Sequence, residues 1–75
     1  LPSLVQVYRR FKPAFCMMAD YHLRGAICAE DVVAEVFFLI LDHPARPRRD
    51  ERTAEWLFDR IEAFVARYAR QLELA

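Results

Sequence analysis

The sequence predicts an all-α protein that folds as a three-helix bundle. Apolar residues recur with helical spacing in three stretches of the 75-residue chain, and no stretch shows the alternation typical of strands. One glycine and few serines argue against a β-rich or disordered chain. The length allows one domain, close to the lower limit for an independent hydrophobic core. We expect residues 1–75 to be a single domain of a longer protein, since the sequence starts at Leu1 rather than Met.

The first helix is predicted to begin after Ser3, because Ser3 and Gln6 have the spacing of a capping box. Pro13 either kinks this helix or starts a second segment as its first residue. Gly25 is expected to end the helix, and a short connection to the next helix favours antiparallel neighbours. The predicted apolar stripe of this helix comprises Leu4, Val7, Tyr8, Phe11, Phe15, Met18 and Ala19.

The central stretch, residues 29–41 (AEDVVAEVFFLIL), predicts a helix that is apolar nearly all round. Glu30 and Asp31 stand at its start, where the positive end of a helix dipole favours acids. Phe38 and Leu39 fall outside its predicted core face. A helix of this kind is normally buried, and a short chain has little with which to bury it, so we expect a partner to cover the remaining side. The predicted core face comprises Val32, Val33, Val36, Phe37, Ile40 and Leu41.

The last helix is predicted to follow a stiff, charged connector. His43-Pro44 is expected to end the central helix, because the residue before proline avoids helical angles. Thr53 is predicted to cap the last helix, which would extend from Ala54 to about Glu73. The basic residues of the connector are Arg46, Arg48, Arg49 and Arg52. The apolar stripe of the last helix comprises Leu57, Ile61, Phe64, Val65, Tyr68 and Leu72.

No group of residues predicts catalysis, a metal site or a cofactor site. Asp20 and His22 have no nucleophile at a useful spacing, and the chain lacks a glycine-rich phosphate loop. Cys16, His22, Cys28 and His43 match no structural zinc spacing, so we expect two reduced thiols in a cytoplasmic protein. The formal net charge is zero, and the longest apolar run is shorter than the about 20 residues of a membrane span. We therefore expect a protein that is not an enzyme and that has no membrane-spanning segment.

Two features leave alternatives open at this point. The arginine-rich connector is either a solvated linker or a phosphate-binding segment, since guanidinium groups neutralise backbone phosphates. Trp56, near the start of the last helix, is either a core residue or a surface on which an unpaired base stacks.

Two motifs and their separation resemble region two of bacterial RNA polymerase sigma factors, most closely those of the extracytoplasmic-function group. Residues 29–37 (AEDVVAEVF) are similar to the family pattern A-E-D-h-h-Q-E-h-F, where h is apolar. Residues 56–58 (WLF) are similar to the W-L-h pattern of the next helix, at a similar separation. Residues 7–15 (VYRRFKPAF) resemble the aromatic, basic, proline-bearing first helix. The resemblance extends over nearly the whole chain and implies the region-two fold.

The resemblance implies a promoter-recognition domain of the cytoplasm. The central helix would dock on the clamp helices of the polymerase β′ subunit, with Asp31, Glu35, Phe38 and Leu39 at the contact. The connector and the following helix would hold the non-template strand of the minus-ten element and a flipped base. Trp56 would mainly pack the core beneath that site. The implied DNA-binding residues are Arg48, Arg49, Arg52, Arg60 and Arg67.

Several residues depart from the family pattern. Ala34 stands where the family usually has Gln, and Ala63 stands where it usually has Asn. Asp59 and Glu62 place acids in a normally basic stretch. These departures keep open a second interpretation, a sigma-like interaction module that binds a regulator such as an anti-sigma factor, or a second copy of itself, without promoter recognition. A third interpretation is an unrelated helical domain.

Overall fold

The computed structural model describes residues 3–42 and 53–73, which form three α-helices. Helix α1 spans Leu4–Leu23, α2 spans Ala29–Leu41 and α3 spans Thr53–Gln71. Each helix packs against both others, and the contact between α1 and α3 is the most extensive. The predicted all-α three-helix bundle is therefore confirmed. Within the described ranges, none of the helices combines the length and the apolar character that crossing a bilayer requires.

Helix α1 begins at the predicted capping box. The backbone N–H of Gln6 donates a hydrogen bond to the Ser3 hydroxyl, and the backbone N–H of Ser3 donates one to the Gln6 side chain at 2.7 Å. Both backbone donors would otherwise lack a partner at the start of the helix. Pro13 lies inside α1, so it does not start a second segment.

The end of α1 also lies where the sequence predicts it. After Leu23 the backbone of Arg24 is left-handed, with φ of 54°, and its N–H donates to the carbonyl oxygen of Asp20 at 2.8 Å. Gly25 follows with φ of 71°, a conformation that costs glycine little because it has no Cβ. Two left-handed residues in succession turn the chain away from α1 and into the short connection to α2.

Side-chain contacts show that α1 and α2 are antiparallel. Lys12 Nζ lies 2.9 Å from Glu30 Oε1, and the Tyr8 ring stacks on the Phe37 ring with centroids 3.9 Å apart. The later residue of α1, Lys12, contacts the earlier residue of α2, Glu30, whereas the earlier Tyr8 contacts the later Phe37. The two helices therefore run in opposite directions. The hydrogen bond lowers the pKa of Glu30 and raises the pKa of Lys12. Because both side chains are solvated, the pair orients the helices more than it stabilises them.

Helices α1 and α3 are parallel. The rings of Phe15 and Phe58 lie 5.9 Å apart, and further along both helices His22 Nε2 lies 3.2 Å from Glu62 Oε2. Since α1 is antiparallel to α2 and parallel to α3, helices α2 and α3 are antiparallel to each other. The bundle is thus an up-down-up arrangement.

All three helices contribute to one apolar core. The predicted core face of α2 is buried, with Leu41 partly so. Helix α3 buries Leu57, as the sequence predicts, and also Ala69. In the described part of the chain, the buried apolar residues are Val7, Tyr8, Phe15, Ala19, Leu23, Val32, Val33, Val36, Phe37, Ile40, Leu57, Ile61, Val65 and Ala69.

Three residues of the predicted apolar stripes are exposed instead. Phe11 lies one turn before Phe15, at the level where α3 begins, so it has little of α3 to pack against. Leu72 lies beyond the last residue of α3. Tyr68 borders the space between α2 and α3. Helical period alone therefore overestimates the core at the ends and edges of the bundle.

The boundaries of α3 differ slightly from the predicted ones. Thr53, predicted as the cap, is the first helical residue described and is buried. The helix ends at Gln71, two residues before the predicted end at Glu73. Glu73 has φ of 60° and donates its N–H to the carbonyl oxygen of Arg70, which closes the last turn.

The contact between α1 and α2 centres on the Tyr8 ring. It is nearly parallel to the Phe37 ring, at 8°, and its hydroxyl is buried without a hydrogen-bond partner among the described residues. Burial raises the pKa of Tyr8, because the phenolate would lose its hydration. The hydroxyl thus gives up hydrogen bonds to water on folding and gains none in return.

We expect Tyr8→Phe to leave stability unchanged or to raise the free energy of unfolding by up to about 1 kcal/mol, because it removes an unsatisfied buried hydroxyl. Urea unfolding followed by circular dichroism measures the difference. Tyr21→Phe, at an exposed tyrosine of the same helix, is the control and should change stability by less than about 0.5 kcal/mol. A loss of more than about 1 kcal/mol in Tyr8→Phe would contradict this account of the hydroxyl.

Candidate docking surface

Helix α2 exposes a continuous strip on the side that faces away from the core. We call this strip the outer strip, and it comprises Asp31, Glu35, Phe38, Leu39 and Asp42, all of them exposed. Phe38 is 68% exposed and Leu39 is 59% exposed. The four residues that the resemblance assigns to a polymerase contact therefore lie together on one solvent-facing surface.

Among the described residues, α2 has two neighbouring helices, and neither of them covers the outer strip. Neighbouring residues of an α-helix point about 100° apart, so Phe37 and Phe38 cannot both face the core. Phe37 is 5% exposed and stacks on Tyr8 of α1, whereas Phe38 has no helix on its side. Val36 and Val32 face α3. Two neighbours cover two sides of α2 and leave the third to solvent.

The outer strip combines apolar groups with negative charge. Asp31, Glu35 and Asp42 place carboxylates along the same side of α2 as Phe38. Within the described ranges the side-chain ion pairs are Lys12–Glu30 and His22–Glu62, so none of these three carboxylates is paired. Burying a large apolar side chain contributes about 1.5–3 kcal/mol. A partner with an apolar surface bordered by basic groups would match this strip.

A groove of about 270 Å³ lies beside the outer strip, between α2 and α3. Val32, Val36 and the partly buried Phe64 supply its buried apolar lining. Exposed residues of both helices line it as well: Glu35 and Leu39 from α2, and Arg67, Tyr68 and Gln71 from α3. Glu35 and Leu39 therefore belong both to the outer strip and to the groove.

The predicted DNA-binding residues are only partly within the described structure. Arg48, Arg49 and Arg52 lie outside the described residues. Arg60 and Arg67 lie seven residues apart, which places them on the same face of α3. Arg67 lines the groove together with Glu35, although the resemblance assigns these two residues to different partners.

Trp56 is in part a core residue, and its role as a surface for an unpaired base stays a prediction. It is partly buried and packs against the hydrophobic core, while the next residue, Leu57, is fully buried. The guanidinium carbon of Arg60 lies 5.7 Å from the centroid of the Trp56 ring, within the range of a cation–π contact. Arg60 is therefore held against Trp56, whereas exposed Arg67 has no such contact among the described residues.

The residues considered for chemistry have the following contacts in the structure. His22 pairs with Glu62 of α3 and not with Asp20. Cys16 and Cys28 are free thiols, and burial raises the pKa of Cys16, which favours its neutral form. No cluster of three or more potential metal ligands occurs among residues 3–42 and 53–73, and His43 lies outside them.

Sequence reasoning missed the α3 side of the groove. Helical spacing places Tyr68 and Phe64 in the predicted core, and nothing in the sequence marks Gln71 as a surface contact. The residue type of Tyr68 does indicate an edge position, because a tyrosine hydroxyl needs either solvent or a hydrogen-bond partner. An edge position meets that need, and Tyr68 lies at the edge of the bundle.

Comparison with known proteins gives no relative from which to transfer a function. No protein-family model, curated protein or solved structure matches the chain.

We expect Arg60→Ala to lower the free energy of unfolding by about 0.5–1 kcal/mol, because it removes the contact with Trp56. Arg67→Ala, a matched change on the same face of α3, should alter stability by less than about 0.5 kcal/mol. Urea unfolding monitored by Trp56 fluorescence measures both. Equal effects of the two changes would show that the contact between Arg60 and Trp56 adds nothing to stability.

Proposed function

We propose that the chain is a sigma region-two-like domain that docks on core RNA polymerase through the outer strip of α2 and presents the arginines of α3 and the connector to promoter DNA. The observation that carries the proposal is the exposure of Phe38 and Leu39 among unpaired carboxylates, on the face of the helix that bears the A-E-D motif.

The outer strip is well suited to a helical partner. Its residues Asp31, Glu35, Phe38 and Asp42 have the i, i+4, i+7, i+11 spacing with which one helix face contacts another. The fold does not need Phe38, since the core face of α2 is complete without it. Large apolar side chains kept in solvent and bordered by polar groups typically mark an interaction site. The clamp helices of the β′ subunit are the helical partner that the resemblance suggests.

The promoter half of the proposal has separate support. Arg60 and Arg67 share one face of α3, and arginine side chains supply many of the phosphate contacts that position a protein on DNA. Trp56 lies on the same helix and offers a ring that is only partly buried. Arg48, Arg49 and Arg52 of the connector would extend this basic surface. Stacking on an aromatic ring contributes about 1–3 kcal/mol per unpaired base.

Phe38→Glu tests the polymerase half. The variant loses apolar burial and adds a fourth carboxylate to the strip, so binding to a purified β′ clamp-helix fragment should weaken at least about tenfold, or about 1.4 kcal/mol. Fluorescence anisotropy of the labelled chain measures the affinity, and circular dichroism should show unchanged thermal unfolding.

Tyr21→Glu is the matched control, because it places the same charge on an exposed aromatic residue of α1, away from the outer strip. It should bind the fragment as the wild type does. The polymerase half is wrong if the wild-type chain does not bind the fragment, or if Phe38→Glu binds equally well.

A second candidate function is that of a protein-interaction module without promoter recognition. Glu35, which lines the groove together with Arg67, favours this candidate, because an acid near an arginine opposes the binding of phosphate to that arginine.

Cross-linking separates the two candidates. Polymerase reconstituted with the chain is mixed with non-template minus-ten DNA or with a scrambled strand. Sequence-dependent cross-links to the chain support promoter recognition, whereas polymerase binding without them supports the interaction module.

A further inference from the structure

The groove between α2 and α3 carries opposite charges on its two walls. Glu35 stands on the α2 wall and Arg67 on the α3 wall, and both are exposed. Neither has an ion-pair partner in the described part of the chain, where the pairs are Lys12–Glu30 and His22–Glu62. A partner for this groove must therefore present a base opposite the α2 wall and an acid opposite the α3 wall.

Both walls of the groove also carry apolar side chains. Leu39 belongs to the α2 wall and Tyr68 to the α3 wall, and each exposes a large part of its side chain. Val36 and Phe64 lie deeper, one from each helix. An occupant thus gains apolar contact on both walls as well as two charge pairs.

We propose that a second copy of this chain covers the groove and forms a two-fold symmetric dimer. A two-fold axis parallel to the groove places α2 of each copy over α3 of its partner. Glu35 of one copy then faces Arg67 of the other, and the reciprocal pair forms at the same time, as a self-complementary interface requires. Leu39 of each copy packs against Tyr68 of its partner across the axis.

The charge of the chain favours this occupant. The formal net charge is zero, so two copies approach each other without overall repulsion. The groove has an acid on its α2 wall and a base on its α3 wall. An identical copy turned by 180° places its base opposite that acid and its acid opposite that base. The dimer is inferred from the groove alone and does not depend on the proposed function.

One consequence does rest on the proposed function. Glu35 and Leu39 belong to both the groove and the outer strip, so the dimer would cover part of the surface proposed for polymerase. Dimer formation and polymerase docking would then exclude each other. Phe38 lies in the outer strip but not in the groove, so Phe38→Glu should impair polymerase binding without impairing the dimer. The two proposals can therefore fail separately.

Reciprocal charge reversal tests the dimer. Sedimentation equilibrium of the wild-type chain should show a concentration-dependent dimer. Glu35→Arg places two arginine pairs across the interface, and Arg67→Glu places two glutamate pairs there, so each variant alone should dimerise at least about tenfold more weakly. In an equimolar mixture, Arg at position 35 of one variant faces Glu at position 67 of the other, and the second contact keeps its native pair. The mixture should recover the dimer.

Three further measurements keep the test decisive. Asp59→Arg, an equal charge reversal on the exposed side of α3 away from the groove, should dimerise as the wild type does. Leu39→Ala removes apolar packing without changing charge and should also weaken the dimer. Circular dichroism checks that each variant is folded, which the exposure of the substituted residues leads us to expect.

The inference is overturned if the wild-type chain stays monomeric up to about 1 mM, where even weak association becomes visible. It is also overturned if folded Glu35→Arg and Arg67→Glu dimerise as the wild type does, or if their mixture stays monomeric. Loss of the dimer in Asp59→Arg would place the interface on another face of the bundle.

Discussion

The arrangement of the molecule follows from one constraint, namely that α2 is apolar on more sides than two neighbouring helices can cover. Helix α1 takes one side through the stack of Tyr8 on Phe37, and α3 takes a second side through Val32 and Val36. The third side has no neighbour within residues 3–42 and 53–73 and carries exposed Phe38. Helix α2, the most apolar of the three described helices, therefore keeps Phe38 and Leu39 in solvent.

The distribution of charge determines what this exposed surface can bind. Carboxylates at Asp31, Glu35 and Asp42 border the apolar side chains and keep them hydrated in the free protein. They also select among partners, since a basic surface is attracted and an acidic one is repelled. Beside the outer strip, the same Glu35 stands across the groove from Arg67, so the groove carries both signs of charge. The two adjacent surfaces of α2 thus differ in charge and share Glu35 and Leu39.

The features that the sequence predicts well are local ones. The capping box at Ser3, the helix end at Gly25 and the core face of α2 each depend on residues within a few positions of one another, and their physical chemistry can be read from spacing. The sequence also separates Phe38 from Phe37, because adjacent residues of a helix face different directions.

The features that the sequence does not predict depend on contacts between distant residues. The groove exists because α2 and α3 leave space between them, and no local pattern encodes that separation. The exposure of Phe11 depends on where α3 begins, and the exposure of Leu72 depends on where it ends. Glu35 belongs to α2 and Arg67 to α3, so only the folded chain places them together in one groove.

The central claim, that α2 keeps an apolar face in solvent while its core face is closed, is tested most directly by nuclear magnetic resonance with a soluble paramagnetic agent. The account predicts strong relaxation of the Phe38 ring and Leu39 methyl protons in a dilute monomeric sample, and weak relaxation of the Phe37 ring and Ile40 methyl protons. Equal protection of Phe38 and Phe37 in that sample would contradict it.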